Sequence, residues 1–406
     1  MPDLVNTEDL VREGVLSAEQ ARIIAARSRS AMVALGVNAL LCAGVLAAAL
    51  GFVFWLADPV AVAVLGGLFL ALGAMLLLRG TSAMPMIGNA AALIGAVMLG
   101  AGSAVEILDK LPQVAGGWAL FVMGAVPGLA AAWALRRGPP AARFLAGAVL
   151  LIALALHLLG LSRAIDSLGL QVLTLPLASL YAAVLLVLAG LATNLRPVTA
   201  LAILPFAQML SGAAPYWSEI YALYSPEPTL TILQMGLLLV ASLWAARHWS
   251  ESRDGRVARH AGLLGIMAFV VGNLSFLIGA LTGDVVGDSW AGIGHGRFIR
   301  PDGSHDWEAA DAARRAYAAT ALTIPDWVFA LVWTALLAAG AIWTAHRAQR
   351  GLFNTILTFA VIHGVTQTFD SFGDHPLAYV IGGLAVIPLA WGVWRLNLWF
   401  EARTPA

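Results

Sequence analysis

Residues 59–78 read PVAVAVLGGLFLALGAMLLL, without one charged side chain, and the run stops at Arg79. A stretch of about 20 apolar residues is the length that crosses roughly 30 Å of hydrocarbon as an α-helix. No water reaches that depth, so every backbone N–H and C=O must be satisfied within the segment, and a helix does this by itself. The alternation of apolar and polar residues that marks a membrane β-barrel strand is absent.

The same signature recurs along the chain. The 406 residues are 60% hydrophobic and 11% charged, against about 25% charged in an ordinary soluble domain. Apolar segments at 31–56, 59–78, 85–105, 115–135, 142–160, 172–191, 197–217, 229–248, 261–281, 323–345, 352–372 and 377–396 predict an all-α integral membrane protein of about twelve transmembrane helices. The seventh is the least apolar, with Pro205, Gln208 and Ser211 inside it. The remainder divides into a polar segment at 1–30, a long loop at 282–322 and a tail at 397–406.

Basic residues fix the expected orientation, because short loops that stay in the cytoplasm retain Lys and Arg. Every second gap holds them: Arg79; Arg136, Arg137 and Arg143; Arg196; Arg247, Arg253, Arg256 and Arg259; Arg347 and Arg350. The short gaps on the other side hold only Lys110 and Arg163. Arg12, Arg22, Arg27 and Arg29 at one terminus, and Arg395 and Arg403 at the other, place both termini in the cytoplasm. The opposite side is acidic, with Asp58, Glu106, Asp109, Asp166, Glu219, Glu227, Asp326, Asp370 and Asp374, read as a solvated surface, with an outer vestibule that attracts cations or repels anions as the alternative. Residues 1–30 lack the apolar core of a removable signal peptide. Lys110 is the one lysine, and the Arg and Ala bias points to a bacterial source and hence to the bacterial inner membrane. With a net charge of zero and no long basic block, no nucleic acid partner is expected, and the single Cys42 excludes an internal disulfide.

Residues 7–30 predict a hairpin of two short helices. Gly14 suits the left-handed position after the first. Ser17-Ala18-Glu19-Gln20 has the form of a capping box, in which Ser17 and Gln20 satisfy each other's amides. The stretch Leu10-Val11-Arg12-Glu13-Gly14-Val15-Leu16-Ser17-Ala18-Glu19-Gln20-Ala21 resembles the opening hairpin of an uncharacterised bacterial family of predicted membrane proteins, which place a Glu-Gly-aliphatic-Ser-x-Glu-Gln hairpin before many spans. The resemblance covers about the first thirty residues and implies an integral membrane protein; it carries no functional residues. The hairpin is too short to hold a core of its own. It is expected to pack on the membrane domain or on a cytoplasmic protein partner.

Ionisable groups inside a span are costly and mark functional positions by default. The eleventh span holds His363, Gln367 and Asp370 on one helix face, within about 60° at 100° per residue. Asp374 and His375 follow beyond Gly373, at the outer mouth. This row is the candidate substrate-binding or proton-linked site, with a small molecule, a cation or a lipid as its ligand. His157 in the fifth span is a second candidate, which gains weight if it meets His363. Asn38, Asn89, Gln234 and Asn273 are read as interhelical hydrogen-bond formers, and Gly265, Gly272 and Gly279, seven residues apart, as a close helix contact. Pro127 and Pro388 sit where each removes a backbone hydrogen bond in mid-span.

In the long loop, 283–303 is expected to be irregular and Glu308–Ala321 helical, with Asp306 as its cap. His295, Asp302, His305 and Asp306 carry metal-ligand side chains at spacings that fit no zinc signature, so no metal is assigned. Trp217, Tyr221 and Tyr224 are read as an outer aromatic belt, and Trp391, Trp394 and Trp399 as the inner one. No Gly-x-x-x-x-Gly-Lys loop, histidine box, Gly-x-Ser-x-Gly or His-Glu-x-x-His is present, so no cofactor is expected and an enzyme on a lipid-linked substrate ranks below a secondary transporter or lipid flippase. A sensor or scaffold binding its partner through the hairpin is the remaining class.

Overall fold

A computed structural model describes residues 58–79, 85–166, 171–210, 227–250, 255–290, 306–347 and 350–372, together with 16–24 and scattered positions between 11 and 51 and between 377 and 395. The chain divides into two compact units, Met1–Ser167 and Leu168–Ala406. Among the described residues nine helices are long and apolar enough to cross a bilayer, and the chain is a multi-pass helical membrane protein.

The first unit is built from two helical hairpins. Helices α1 (Pro59–Arg79) and α2 (Pro85–Lys110) pack along their lengths, as do α3 (Gln113–Arg137) and α4 (Arg143–Asp166), while α2 also touches α4. Asp58 caps α1, its Oδ1 accepting from the amides of Val60 at 3.0 Å and Ala61 at 3.3 Å. α3 ends at Gly138, beyond which Pro139 and Pro140 cannot extend it. Pro127 lies within α3, which runs through it as one helix.

Small residues set the helix separation. Gly66 and Gly73 of α1 lie against the backbones of Leu99 and Ala92, and Gly95 of α2 lies against Leu70. A Cβ on Gly102 would come within 2.7 Å of the Pro59 carbonyl oxygen. In the other hairpin Gly117 faces Ala164, Gly124 faces His157 and Gly160 faces Phe121. Lipid tails are as apolar as Leu, so helices in a bilayer associate through close packing rather than through the hydrophobic effect, and glycine permits the closest approach.

The second unit is arranged around one helix. It comprises α5 (Gln171–Thr193), α6 (Arg196–Leu201), α7 (Ile203–Gln208), α8 (Pro228–His248), α9 (Arg256–Thr282), β1 (Asp284–Val285), α10 (Trp307–Ala318), β2 (Thr323–Ile324), α11 (Asp326–His346) and α12 (Arg350–Phe372). α9 contacts α5, α6, α7, α8, α11 and α12. Ala280 of α9 packs with Phe329, Trp333 and Leu337 of α11 and Ile356 and Phe359 of α12, while Ala268 and Val271 pack with Ile203, Ala207 and Met235. Of the glycines seven residues apart, Gly265 and Gly272 face Ser242 and Met235 of α8, and Gly279 faces Phe329.

The expected seventh span departs from a continuous helix. Between 196 and 208 it forms two six-residue helices, α6 and α7, joined at Ala202. Pro205 has no amide to donate to the Leu201 carbonyl four residues earlier, so the ladder breaks there. Most of the first and twelfth expected spans, much of the hairpin, Asn38, Pro388 and the belt residues Trp217, Tyr221, Tyr224 and Trp399 lie outside the described residues.

The long loop is more regular than its sequence implies. β1 pairs antiparallel with β2, Asp284 opposite Ile324, and a 3-10 turn follows at Asp288–Trp290. α10 is shorter than expected and is capped by Asp306, whose Oδ1 accepts from the Ala309 amide at 3.1 Å. In the hairpin Gly14 takes the left-handed conformation at φ 73°, and the capping box forms, with Ser17 N donating to Gln20 Oε1 at 2.9 Å and Gln20 N to Ser17 Oγ at 3.1 Å.

The packing account gives a direct test. Gly95→Ala places a methyl group into the Leu70 backbone and is expected to destabilise the protein by about 1–3 kcal/mol, the usual range for overpacking. Gly236→Ala in α8, which has nothing within 4 Å of the added carbon, leaves the thermal unfolding midpoint in detergent unchanged.

Candidate functional site

His363, Gln367 and Asp370 grade along one face of α12 from buried to exposed. The His363 side chain is 8% exposed, Gln367 is half-buried and Asp370 is exposed near the helix end. The row spans about 10 Å at 1.5 Å per residue.

The hydrogen bonds define the state of the histidine. The Thr334 hydroxyl donates its one proton to the Ala330 carbonyl at 2.7 Å. Its contact with His363 Nε2 at 2.8 Å therefore has the imidazole as donor, and Nε2 carries the hydrogen. Nδ1 of the neutral ring is then an acceptor; it is buried and has no partner among the described residues. The ring lies against the Trp333 indole at a centroid distance of 4.4 Å.

Trp333 continues the polar connection into α9. Its Nε1 donates to Asn273 Oδ1 at 2.8 Å, and Asn273 Nδ2 donates to the Phe269 carbonyl at 2.8 Å. Asn273 thus forms the interhelical bond expected of it. Gln367 Nε2 reaches the Ala280 carbonyl at 3.4 Å, so α12 is tied to the last turn of α9. Around this network the spare valence is His363 Nδ1, which can bind a proton or accept from a ligand that enters along the α12 face.

The other expected site residues divide. His157 belongs to the first unit, where its Nδ1 donates to the Phe121 carbonyl at 2.9 Å and its ring lies 3.9 Å from that of Phe121. His363 belongs to the second unit. Asp374 and His375 lie outside the described residues. So do His295, Asp302 and His305; among the described residues no three His, Cys, Asp or Glu side chains converge to hold a metal.

Two carboxylates that the sequence places at a solvated surface, or passes over, are buried. Glu227, immediately before α8, is 0% exposed rather than solvated. Its Oε2 accepts from the Gly287 amide, and its Oε1 from the amide and hydroxyl of Ser289, all at 2.8 Å. Asp284, 7% exposed, returns the contact: its Oδ2 accepts from the Thr229 amide in the first turn of α8 at 2.9 Å, where the helix dipole favours negative charge. Burial, the largest cause for each, pushes both carboxyls above the usual carboxylate range, opposed by these hydrogen bonds. Gly287 stands at φ 85°, which only glycine adopts without strain, and so presents its amide to Glu227.

A third cluster joins α5, α6 and α9. His260, 1% exposed, meets Thr199 Oγ1 through Nδ1 at 2.6 Å and Asn194 Oδ1 through Nε2 at 3.3 Å. Asn194 holds a left-handed conformation at φ 57° that turns the chain from α5 into α6. Gly190 leaves the space that Thr199 fills. Signals for these residues existed: a histidine inside the basic start of a span, and carboxylates beside Pro228 and Gly283 at span ends.

No family model, curated protein or solved structure matches this chain. The network itself is testable. Asn273→Ala leaves the Trp333 indole N–H buried without an acceptor, and is expected to cost about 1–2 kcal/mol, the upper range for hydrogen bonds between membrane helices. Thermal unfolding in detergent measures the loss, with a change in tryptophan emission reporting the altered site.

Proposed function

We propose that this chain is a secondary transporter or lipid flippase of the bacterial inner membrane, with both termini cytoplasmic and the α12 row as its substrate-linked or proton-linked site. The observation that carries the reading is the buried Nδ1 of His363, which has no partner among the described residues. A histidine kept in a membrane helix only for packing would have both nitrogens engaged, as interhelical bonds contribute little beyond satisfying the group. Here Thr334 fixes the tautomer and leaves one nitrogen to take a proton or meet a polar ligand. The graded exposure from His363 to Asp370 supplies a polar path from the end of the helix.

The Arg distribution puts that end at the outer face and supports twelve spans, with 31–56, 197–217 and 377–396 supplying the three beyond the nine. For the broken α6–α7 segment, discontinuous helices are a common way to build transporter sites. An enzyme on a lipid-linked substrate ranks lower for want of any catalytic motif.

One observation favours a sensor or scaffold instead. Ile23 and Ile24 in the hairpin are 48% and 44% exposed, apolar groups that a cytoplasmic protein partner would cover. The likeness of the hairpin to that of the uncharacterised bacterial membrane family supports a shared role for this segment.

Native mass spectrometry of the detergent-purified full-length protein, beside His363→Gln and Asp370→Asn, separates the readings. A lipid or small molecule carried by the wild type and lost from both variants is the expected result. Identical spectra with nothing bound would remove the α12 row as a ligand site and put the scaffold first; deletion of residues 1–30 would then abolish capture of the partner.

A further inference from the structure

The segment after α9 closes over the start of α8 as a lid, and the fastening is reciprocal. Glu227, before α8, binds the lid at Gly287 and Ser289, and Asp284, in the lid, binds α8 at Thr229. The lid has further ties. Val286 N donates to the Leu322 carbonyl at 3.0 Å, the Tyr317 hydroxyl to the Val286 carbonyl at 3.1 Å, and Trp290 Nε1 to the Leu210 carbonyl at 2.9 Å.

The fastening carries an electrostatic cost. Glu227 and Asp284 are buried acids close enough to repel each other, and Asp288 acts on Asp284 in the same sense. Among the described residues, Asp288 in the 3-10 turn acts on Asp284, and Arg314 and Tyr317 of α10 hold the same segment. Arg314 pairs with Asp288 at 2.6 Å, and Tyr317 holds the Val286 carbonyl. Asp326, at the start of α11, is exposed, and its Oδ1 accepts from the Trp327 amide.

We propose that this lid is a proton-binding gate: Glu227 and Asp284 take up protons as it closes over α8 and release them as it opens to water. A protonated carboxyl keeps lone pairs for the amides it accepts, so the closed geometry survives proton uptake, whereas the buried anions lack the hydration they have in the open state. The sign follows from linkage. Burial raises both carboxyls in the closed lid, and exposure returns them to ordinary values, so the closed state binds more protons between the two. Closure is favoured as pH falls through that window and is lost as pH rises through the raised value. The gate stands independently of the His363 reading, since the lid titrates whether or not α12 carries a ligand.

Hydrogen exchange on the full-length protein in nanodiscs tests this. Amide protection at 286–290, corrected for the intrinsic pH dependence of exchange, is expected to fall roughly tenfold or more from about pH 5 to about pH 8. Asp284→Asn keeps an oxygen for the Thr229 amide and removes one charge, so it holds the lid closed to higher pH and flattens the profile. Glu227→Gln turns an N–H donor towards Gly287; it weakens the lid at every pH and also flattens the profile. Protection in α3 and α4 serves as the folding control. Wild-type protection that rises with pH, an unflattened slope in both variants, or protection in Asp284→Asn below the wild type throughout would overturn the proposal.

Discussion

Helix backbones in this protein meet at glycines, and most of what lies between them depends on that closeness. Gly66, Gly73 and Gly95 bring α1 and α2 together, and Gly117, Gly124 and Gly160 do the same for α3 and α4. At such separations a side chain on one helix can reach a main-chain carbonyl on the next, which is how His157 comes to donate to Phe121. In a medium that offers no hydrogen bonds of its own, close packing and polar satisfaction become one requirement rather than two.

In the second unit the same requirement is distributed around α9. Its middle holds the Asn273–Trp333 bond to α11, its start holds His260 against α5 and α6, and its final turn receives Gln367 from α12. The candidate site is thus supported from a helix that contributes no ionisable group to it. Trp333 is central to this arrangement. It is 1% exposed, its indole N–H is fixed by Asn273, and one face of the ring supports His363.

Much of this was legible in the sequence, for identifiable reasons. Apolar length alone located the nine long helices, because in lipid a long apolar run has one low-energy conformation. Asn273 was read as an interhelical bond, and it is one. The broken seventh segment was flagged by Pro205, although hydropathy still counted it as a span. Glu227 departs from the surface expected of it because charge placement distinguishes one side of the membrane from the other but not surface from interior; its burial depends on amides sixty residues further on. The tautomer of His363 was beyond the sequence for the same reason, since it is set by a threonine on another helix.

The bond from Trp290 to the Leu210 carbonyl links the lid to the chain just beyond α7. α7 is six residues long and is separated from α6 at Ala202, so it has little helical cooperativity of its own and relies on its neighbours. The helix itself is held by the Gln234 amide on the Phe206 carbonyl and by the packing of Ile203 and Ala207 on Met235, Ala268 and Val271. A displacement of the lid therefore frees the chain at Leu210 while α8 and α9 keep the short helix seated, so the motion is passed to the segment beyond α7 rather than to the helix.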